Sequence, residues 1–250
     1  MWFLISMGRP EQCGRVIRSM MNCGLSTPGR LVVNGTADEA AYRQIELPNN
    51  WNIEVLPQNL GVCGAMAKMF RDYPTEDCYS LVCDDEFVET PGFDVRLIEA
   101  AGRWGISHGN DRQMTDRPEE WLHTFATYGG DLVRAVGWWP LPGLWHCFFD
   151  NTWQLIAKEF GLRRYCRDVL TTHINTWDES APMDTTYAAG RQPSHLDEAR
   201  FQQWKRDEWP YVRGQLRKLL NGASYRSNTA SDKQKCPSSL DRSMGTDASQ

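Results

Sequence analysis

Apolar residues in this chain come in short runs parted by polar, Gly- and Pro-bearing segments, and two spacings alternate along it. Trp2-Phe3-Leu4-Ile5-Ser6 is a continuous run of strand length, ended by Gly8-Arg9-Pro10. Cys13, Val16, Ile17 and Met20 then recur at helical spacing over 12–21, with Pro10 placed to open that helix and Gly24 to cap it. A second strand is predicted over 30–35, a short helix over 38–45, and a weak strand over 53–56 that Pro57 stops. A Gly-rich loop over 59–64 opens a helix at 65–70, and a fourth strand follows over 78–83. This alternation predicts an α/β domain with a mixed, mostly parallel sheet flanked by helices. Ligands of such sheets bind outside the carboxyl ends of the strands. Gly8-Arg9, Asn34-Gly35, 59–64 and Asp84-Asp85-Glu86 are therefore expected on one rim.

The second half is less regular. A helix is predicted over 92–101 and a strand over 104–108. The stretch 132–142 is apolar, aromatic and broken by Pro140 and Pro142, and reads as a rim or loop. The apolar run 144–149 leads into Asp150, placed as the N-cap of a helix over 153–160 that Gly161 ends. A strand over 165–172 delivers His173. Residues 194–220 read as one long polar helix with a single apolar stripe and a kink at Pro210. From 223 to 250 the chain is rich in Ser, Asp and Lys, and a disordered tail is predicted there. No internal repeat is present.

Composition narrows the function classes. Hydrophobic residues make up 41% and charged residues 24% of 250, ordinary values for a globular domain. A net charge of -5 argues against coating nucleic acid through bulk charge. It leaves room for a local basic groove from Arg112, Arg117, Arg134, Arg163, Arg164 and Arg167. Eight cysteines without a C-x-x-C pair argue against structural zinc and for a reduced, cytoplasmic protein. The apolar N-terminal run is too short for a signal peptide or a membrane span, so no membrane partner is expected.

The chemistry centres on Asp84-Asp85-Glu86, three acids where an apolar strand ends. In an extended segment Asp84 and Glu86 point one way and Asp85 the other, so the first and third could hold a hard divalent cation. A solvated acidic turn explains the same residues equally well. A lone His173 after a strand is more often structural, unless the fold carries it to the acids. Asp150 serves either as a plain helix cap or as a general base. Arg9 is a candidate phosphate contact. Trp138, Trp139, Trp145 and His146 could stack on a sugar or base, or could lid the core.

Taken in order, Gly8-Arg9-Pro10, Asn59-Leu60-Gly61, Cys83-Asp84-Asp85-Glu86-Phe87 with Thr90-Pro91-Gly92-Phe93-Asp94, Gly137-Trp138-Trp139, the run from His146 to Trp153, and His173 form a recognisable set. The set resembles the GT-A fold glycosyltransferases, and among them the small family 2 type enzymes of bacteriophages, over about residues 2–190. The resemblance implies a GT-A domain over 1–222, with a nucleotide-sugar half (1–102), an acceptor half (103–193) and a C-terminal helix (194–222). It implies a hexosyltransferase that uses a nucleotide-sugar, UDP being the commonest donor nucleotide, with Mn²⁺ or Mg²⁺. The metal would be held by Asp84, Glu86 and His173, Glu86 standing where the family's D-x-D motif ends in Asp. Ser6, Gly8, Arg9, Asn34, Asn59, Gly61, Asp84 and Asp85 would surround the donor. Asp150 would deprotonate the acceptor with inversion at the anomeric carbon, and the four aromatic-patch residues would receive the sugar or acceptor. The acceptor stays open between a 5-hydroxymethylpyrimidine in phage DNA, narrowly favoured and placing the protein in the host cytoplasm, and a polysaccharide or other glycan. A nucleotidyltransferase and a non-catalytic binding module are the other classes considered, the first weakened by the lack of Lys near the first strand.

Overall fold

The computed structural model describes residues 1–112, 122, 125–174, 184–191 and 193–222. The predicted tail (223–250) and Arg117 lie outside them. The first half runs β1 (Trp2–Ser6), α1 (Pro10–Asn22), β2 (Gly29–Asn34), α2 (Glu39–Tyr42), β3 (Trp51–Leu56), α3 (Gly61–Asp72), β4 (Cys78–Cys83), β5 (Glu86–Val88) and α4 (Phe93–Ala101). The second runs β6 (Ile106–Asn110), β7 (Ala126–Gly129), α5 (Gly130–Val136), α6 (Phe149–Phe160), β8 (Arg163–His173), α7 (Thr185–Arg191), α8 (Ser194–Asp207) and α9 (Trp209–Gly222).

The strands form one eight-stranded sheet in the order β3-β2-β1-β4-β7-β6-β8-β5. β1 pairs parallel to β2 and β4, and β2 parallel to β3, so Ser6, Asn34, Leu56 and Cys83 end on the same rim. β7 runs antiparallel to both β4 and β6, and β8 runs parallel to β6. Two reversals restore the direction, and the C-terminal end of β8 returns to that rim. β5 folds back from the end of β4 and pairs antiparallel to β8, with Glu86 opposite His173. The topology thus brings a residue from position 173 to the acids at 84–86.

Alternation along the strands splits the core between two faces. Phe3, Ile5, Val32, Tyr79 and Leu81 pack on one side under α3, α5, α6 and α9. Trp2, Leu4, Leu31, Val33 and Val82 pack on the other under α1 and α4. Cys13, Val16, Ile17 and Met20, the helical stripe read from sequence, are all buried on that second side.

Four elements differ from expectation. The stretch read as a rim contains α5, because Leu132 and Val133 are buried beneath it and Gly137 ends it in the left-handed region. α6 starts at Phe149, so Asp150 lies in its first turn and Phe148 holds the cap position. The C-terminal helix is two, α8 and α9, since Pro210 falls in the first turn of a new helix, where its missing N–H costs nothing. β7 escapes sequence reading because all four of its residues are buried, leaving no alternation.

One carboxylate ties the two halves of the β1 side together. Asp94, buried in α4, accepts through Oδ2 the backbone N–H groups of Ser26 (2.8 Å) and Thr27 (2.9 Å) and both hydroxyls (3.1 and 3.0 Å). Replacing it leaves four part-buried hydrogen bonds unmade. Asp94→Ala is expected to destabilise the fold by about 3 kcal/mol, read as a lower urea midpoint at unchanged slope.

Candidate active site

A cleft of about 1170 Å³ opens at the strand-end rim. Its floor is Ser6, Cys83, Asp84 and Asp85, and one wall is Asn34, Asn59 and Gly61. The rest of the lining comes from the 145–151 segment, which lies against Gly61, from His173, and from α7 and the start of α8. The volume exceeds the roughly 300–1,000 Å³ that one small-molecule ligand usually occupies.

On the donor side the expected residues meet and brace one another. Asp84 takes the Ser6 hydroxyl on Oδ2 at 2.5 Å and an Arg9 guanidinium N–H on Oδ1 at 3.3 Å. Its carboxyl is raised to about 6, by burial and by the neighbouring charge of Asp85, against the bonds from Ser6 and Arg9. Arg9 is also held bidentately by Asp184 at 2.7 and 2.6 Å, so its charge is shared between two carboxylates. Asn34 donates to Asn59 at 3.0 Å and accepts the Leu60 N–H, while Asn59 accepts the Gly61 N–H. Gly61 sits at φ 69°, and a Cβ there would lie 2.4 Å from the Trp145 carbonyl oxygen. Glycine is thus required for the Trp145 loop to lie against α3. Gly8 lines a separate, shallower depression at the start of α1.

The acids do not share out as expected. Asp84 and Asp85 form a turn rather than extended backbone, which removes the alternation that grouped Asp84 with Glu86. Asp85 lies on the cleft, with its Oδ1 3.4 Å from His173 Nε2. Glu86 is fully buried, accepts the Thr171 hydroxyl at 3.0 Å, and does not line the cleft. Burial pushes its carboxyl up to about 7, with the charges of Asp111 and Asp85 adding and His173 opposing. For His173 burial works against the charged ring. The hydrogen bond to Asp85 and the charges of Glu86, Asp85 and Asp111 outweigh it and raise the imidazole to about 9.

Among the described residues no group of three His, Cys, Asp or Glu side chains converges as a metal cage. Asp85 and His173 instead offer one oxygen and one nitrogen on the cleft surface. Such a partial set fits a divalent cation that takes its other ligands from a bound diphosphate and water.

Asp150 lines the cleft from the first turn of α6, not from its N-cap position, which is Phe148, and accepts the Asn151 N–H at 2.8 Å. Burial raises its carboxyl above the ordinary range. The aromatic patch divides. Trp145 (38% exposed) and His146 line the cleft. Trp139 has no exposure and packs against Phe3, Tyr79 and Tyr128 in the core. Trp138 packs on Trp153 and Trp204 and is likewise off the cleft. Trp138 and Trp139 therefore act as core, not as a sugar platform. Three arginines of the expected basic groove are engaged elsewhere. Arg134 is bound to Asp131 and Glu76, Arg112 to Glu89, and Arg164 to the Gly161 carbonyl, and none of them lines the cleft.

Two residues went unread in the sequence. Tyr42 bonds Ser6 (2.7 Å) and the Arg9 N–H (3.0 Å) under the first loop. Asp197, buried in α8, accepts the N–H groups of Trp145, His146 and Cys147 at 2.7, 2.9 and 2.8 Å. Neither lies in a motif, and only the tertiary fold gives them partners.

Comparison with known structures now settles the architecture. The Staphylococcus aureus TarS crystal structure matches 80% of the chain at a TM-score of 0.53 and 13% identity. Glucosyl-3-phosphoglycerate synthase from Mycobacterium tuberculosis, in complex with Mn²⁺, UDP and phosphoglyceric acid, matches 80% at 0.53 and 14%. The same enzyme with Mg²⁺ and UDP matches 80% at 0.53 and 16%. The chain has the GT-A fold. It spans 42% of the TarS chain and 77% of the mycobacterial synthase. No protein-family model matches this GT-A chain, and no curated protein sequence does so significantly.

Proposed function

We propose that the protein is a divalent-metal-dependent glycosyltransferase that moves a hexose from a nucleotide-sugar, UDP-linked by preference, to an acceptor hydroxyl with inversion. One observation carries this reading. Asp85 and His173, a metal-type pair, face the same cleft as Asp150, a carboxylate in the first turn of α6, at the strand ends of a GT-A fold. The mycobacterial neighbour holds Mn²⁺ and UDP together, which supports a nucleotide-sugar and metal here.

In this reading Asp85 and His173 would hold the cation, and Asn34, Asn59 and Gly61 would flank the nucleoside end. Bound there, the cation would neutralise charge on the departing diphosphate. Asp150 takes the acceptor's hydroxyl proton as the new C1–O bond forms and the C1–O bond to phosphate breaks. The sugar passes to the acceptor and the nucleoside diphosphate leaves. A single displacement by one base inverts the anomeric centre.

The test incubates the protein with Mn²⁺ and a panel of nucleotide-sugars, then follows free nucleoside diphosphate and product mass. Release of UDP with a hexose-sized mass gain on an acceptor is expected. Transfer of a nucleotidyl mass with loss of pyrophosphate would replace this reading with nucleotidyl transfer.

A further inference from the structure

The stretch of cleft lining beside Asp150 has a distinct make-up. Trp145 and His146 approach from the loop before α6, and His195, Leu196 and Glu198 from the first turn of α8. Leu196 is 60% exposed there and Trp145 38%. Asp197 joins the two segments through its three backbone hydrogen bonds, so α8 and the loop that leads to Asp150 form one wall.

Charge decides what that wall can receive. The cleft is lined by the carboxylates of Asp84, Asp85, Asp150 and Glu198. Among the described residues the lining has one Lys or Arg side chain, Arg9, and that is bridged to Asp84 and Asp184. Segments 113–121, 123–124 and 175–183 contain Asp116, Glu119, Glu120, Asp178 and Glu179 against Arg117, and 223–250 contains Asp232, Asp241 and Asp247 against Arg226, Lys233, Lys235 and Arg242. Taken together, those segments carry more Asp and Glu than Lys and Arg. A phosphate-bearing polymer needs Lys and Arg to track it, and here it would meet carboxylates. A sugar ring needs the opposite. It presents an apolar face that packs on an indole, and hydroxyls that donate to carboxylate or imidazole.

We propose that this wall is an acceptor subsite for an uncharged, hydroxyl-rich carbohydrate, with Trp145 under the sugar face and Glu198 accepting from its hydroxyls. This rests on the glycosyltransferase reading and names its acceptor class.

The experiment has two arms. Calorimetry of UDP with the full chain and Mn²⁺ tests the donor reading by itself. Binding and transfer are then measured, with UDP and Mn²⁺ present, on an array of neutral oligosaccharides beside hydroxymethylated duplex DNA and a polyol-phosphate polymer. Retention of, or transfer to, neutral glycans is expected. Trp145→Ala should raise the acceptor KM at least tenfold, and Glu198→Gln a few-fold, the latter with the affinity for UDP unchanged. Use of the DNA or the phosphate polymer in preference to neutral glycans, or binding of neither class while UDP binds, overturns the subsite. Trp145→Ala and Glu198→Gln both leaving the acceptor KM unchanged overturns it too. Failure of UDP itself to bind instead overturns the donor reading on which the subsite depends.

Discussion

Asp150→Asn is expected to lower kcat by roughly 10²–10⁴-fold while leaving the affinity for UDP within about twofold. The carboxamide keeps the shape of the side chain, and its oxygen still accepts the Asn151 N–H in the first turn of α6. What it loses is the ability to accept a proton from the acceptor hydroxyl. The two readings open at the sequence level, cap and base, therefore part cleanly, because a cap role would show as a lower melting temperature at constant rate. The acid limb of the native pH profile gives a second check. Burial raises the Asp150 carboxyl, so more of it is neutral and inactive at a given acidic pH than for an exposed Asp. Activity should rise with pH through a midpoint above the ordinary carboxylate range, and this limb should vanish in whatever residual rate the Asn variant retains. A limb at the ordinary position, or an unchanged rate in Asp150→Asn, would remove Asp150 from the mechanism.

Legibility in the sequence followed locality. β1, α1, β2 and β4 could be read because each buries a face or a run that its own spacing displays. The rim followed from their parallel order, and with it the placement of Ser6, Arg9, Asn34 and Asn59. The second half depends on contacts between distant segments. β7 is a short central strand without alternation, and α5 is a single short helix beside a Trp-Trp-Pro sequence that resembles a loop. At the site, the presence of acids beside His173 was legible, but their division of labour was not. That division depends on Asp84-Asp85 being a turn, and a two-residue turn breaks the every-other-residue rule that paired Asp84 with Glu86. Trp139 misled for a related reason. Its neighbours in sequence, Gly137, Trp138 and Pro140, show no spacing that marks a buried face, while its neighbours in space are Phe3, Tyr79 and Tyr128.

Asp85→Ala is expected to weaken Mn²⁺ affinity, measured with UDP present, by more than about 100-fold, whereas Glu86→Gln should weaken it by about 10–100-fold, the range for residues that support a ligand rather than bind the ion. The order follows from position. Asp85 is on the cleft and 3.4 Å from His173 Nε2, while Glu86 is buried in the β5–β8 ladder and acts on the ring through its charge. The reverse order would restore Glu86 as the ligand. Proton competition supplies an independent readout. Without metal, His173 is raised to about 9, so near neutral pH the ring is charged and must lose its proton to bind a cation. Apparent Mn²⁺ affinity should therefore climb by up to about tenfold per pH unit below that value and level off above it. Titration in buffers of different ionisation enthalpy should show about one proton released per ion bound. In Asp85→Ala the loss of the hydrogen bond and charge that raise His173 should move the levelling-off to lower pH. A pH-independent affinity in the native protein would exclude His173 from the ion, and with it the pairing that assigns the metal to this end of the cleft.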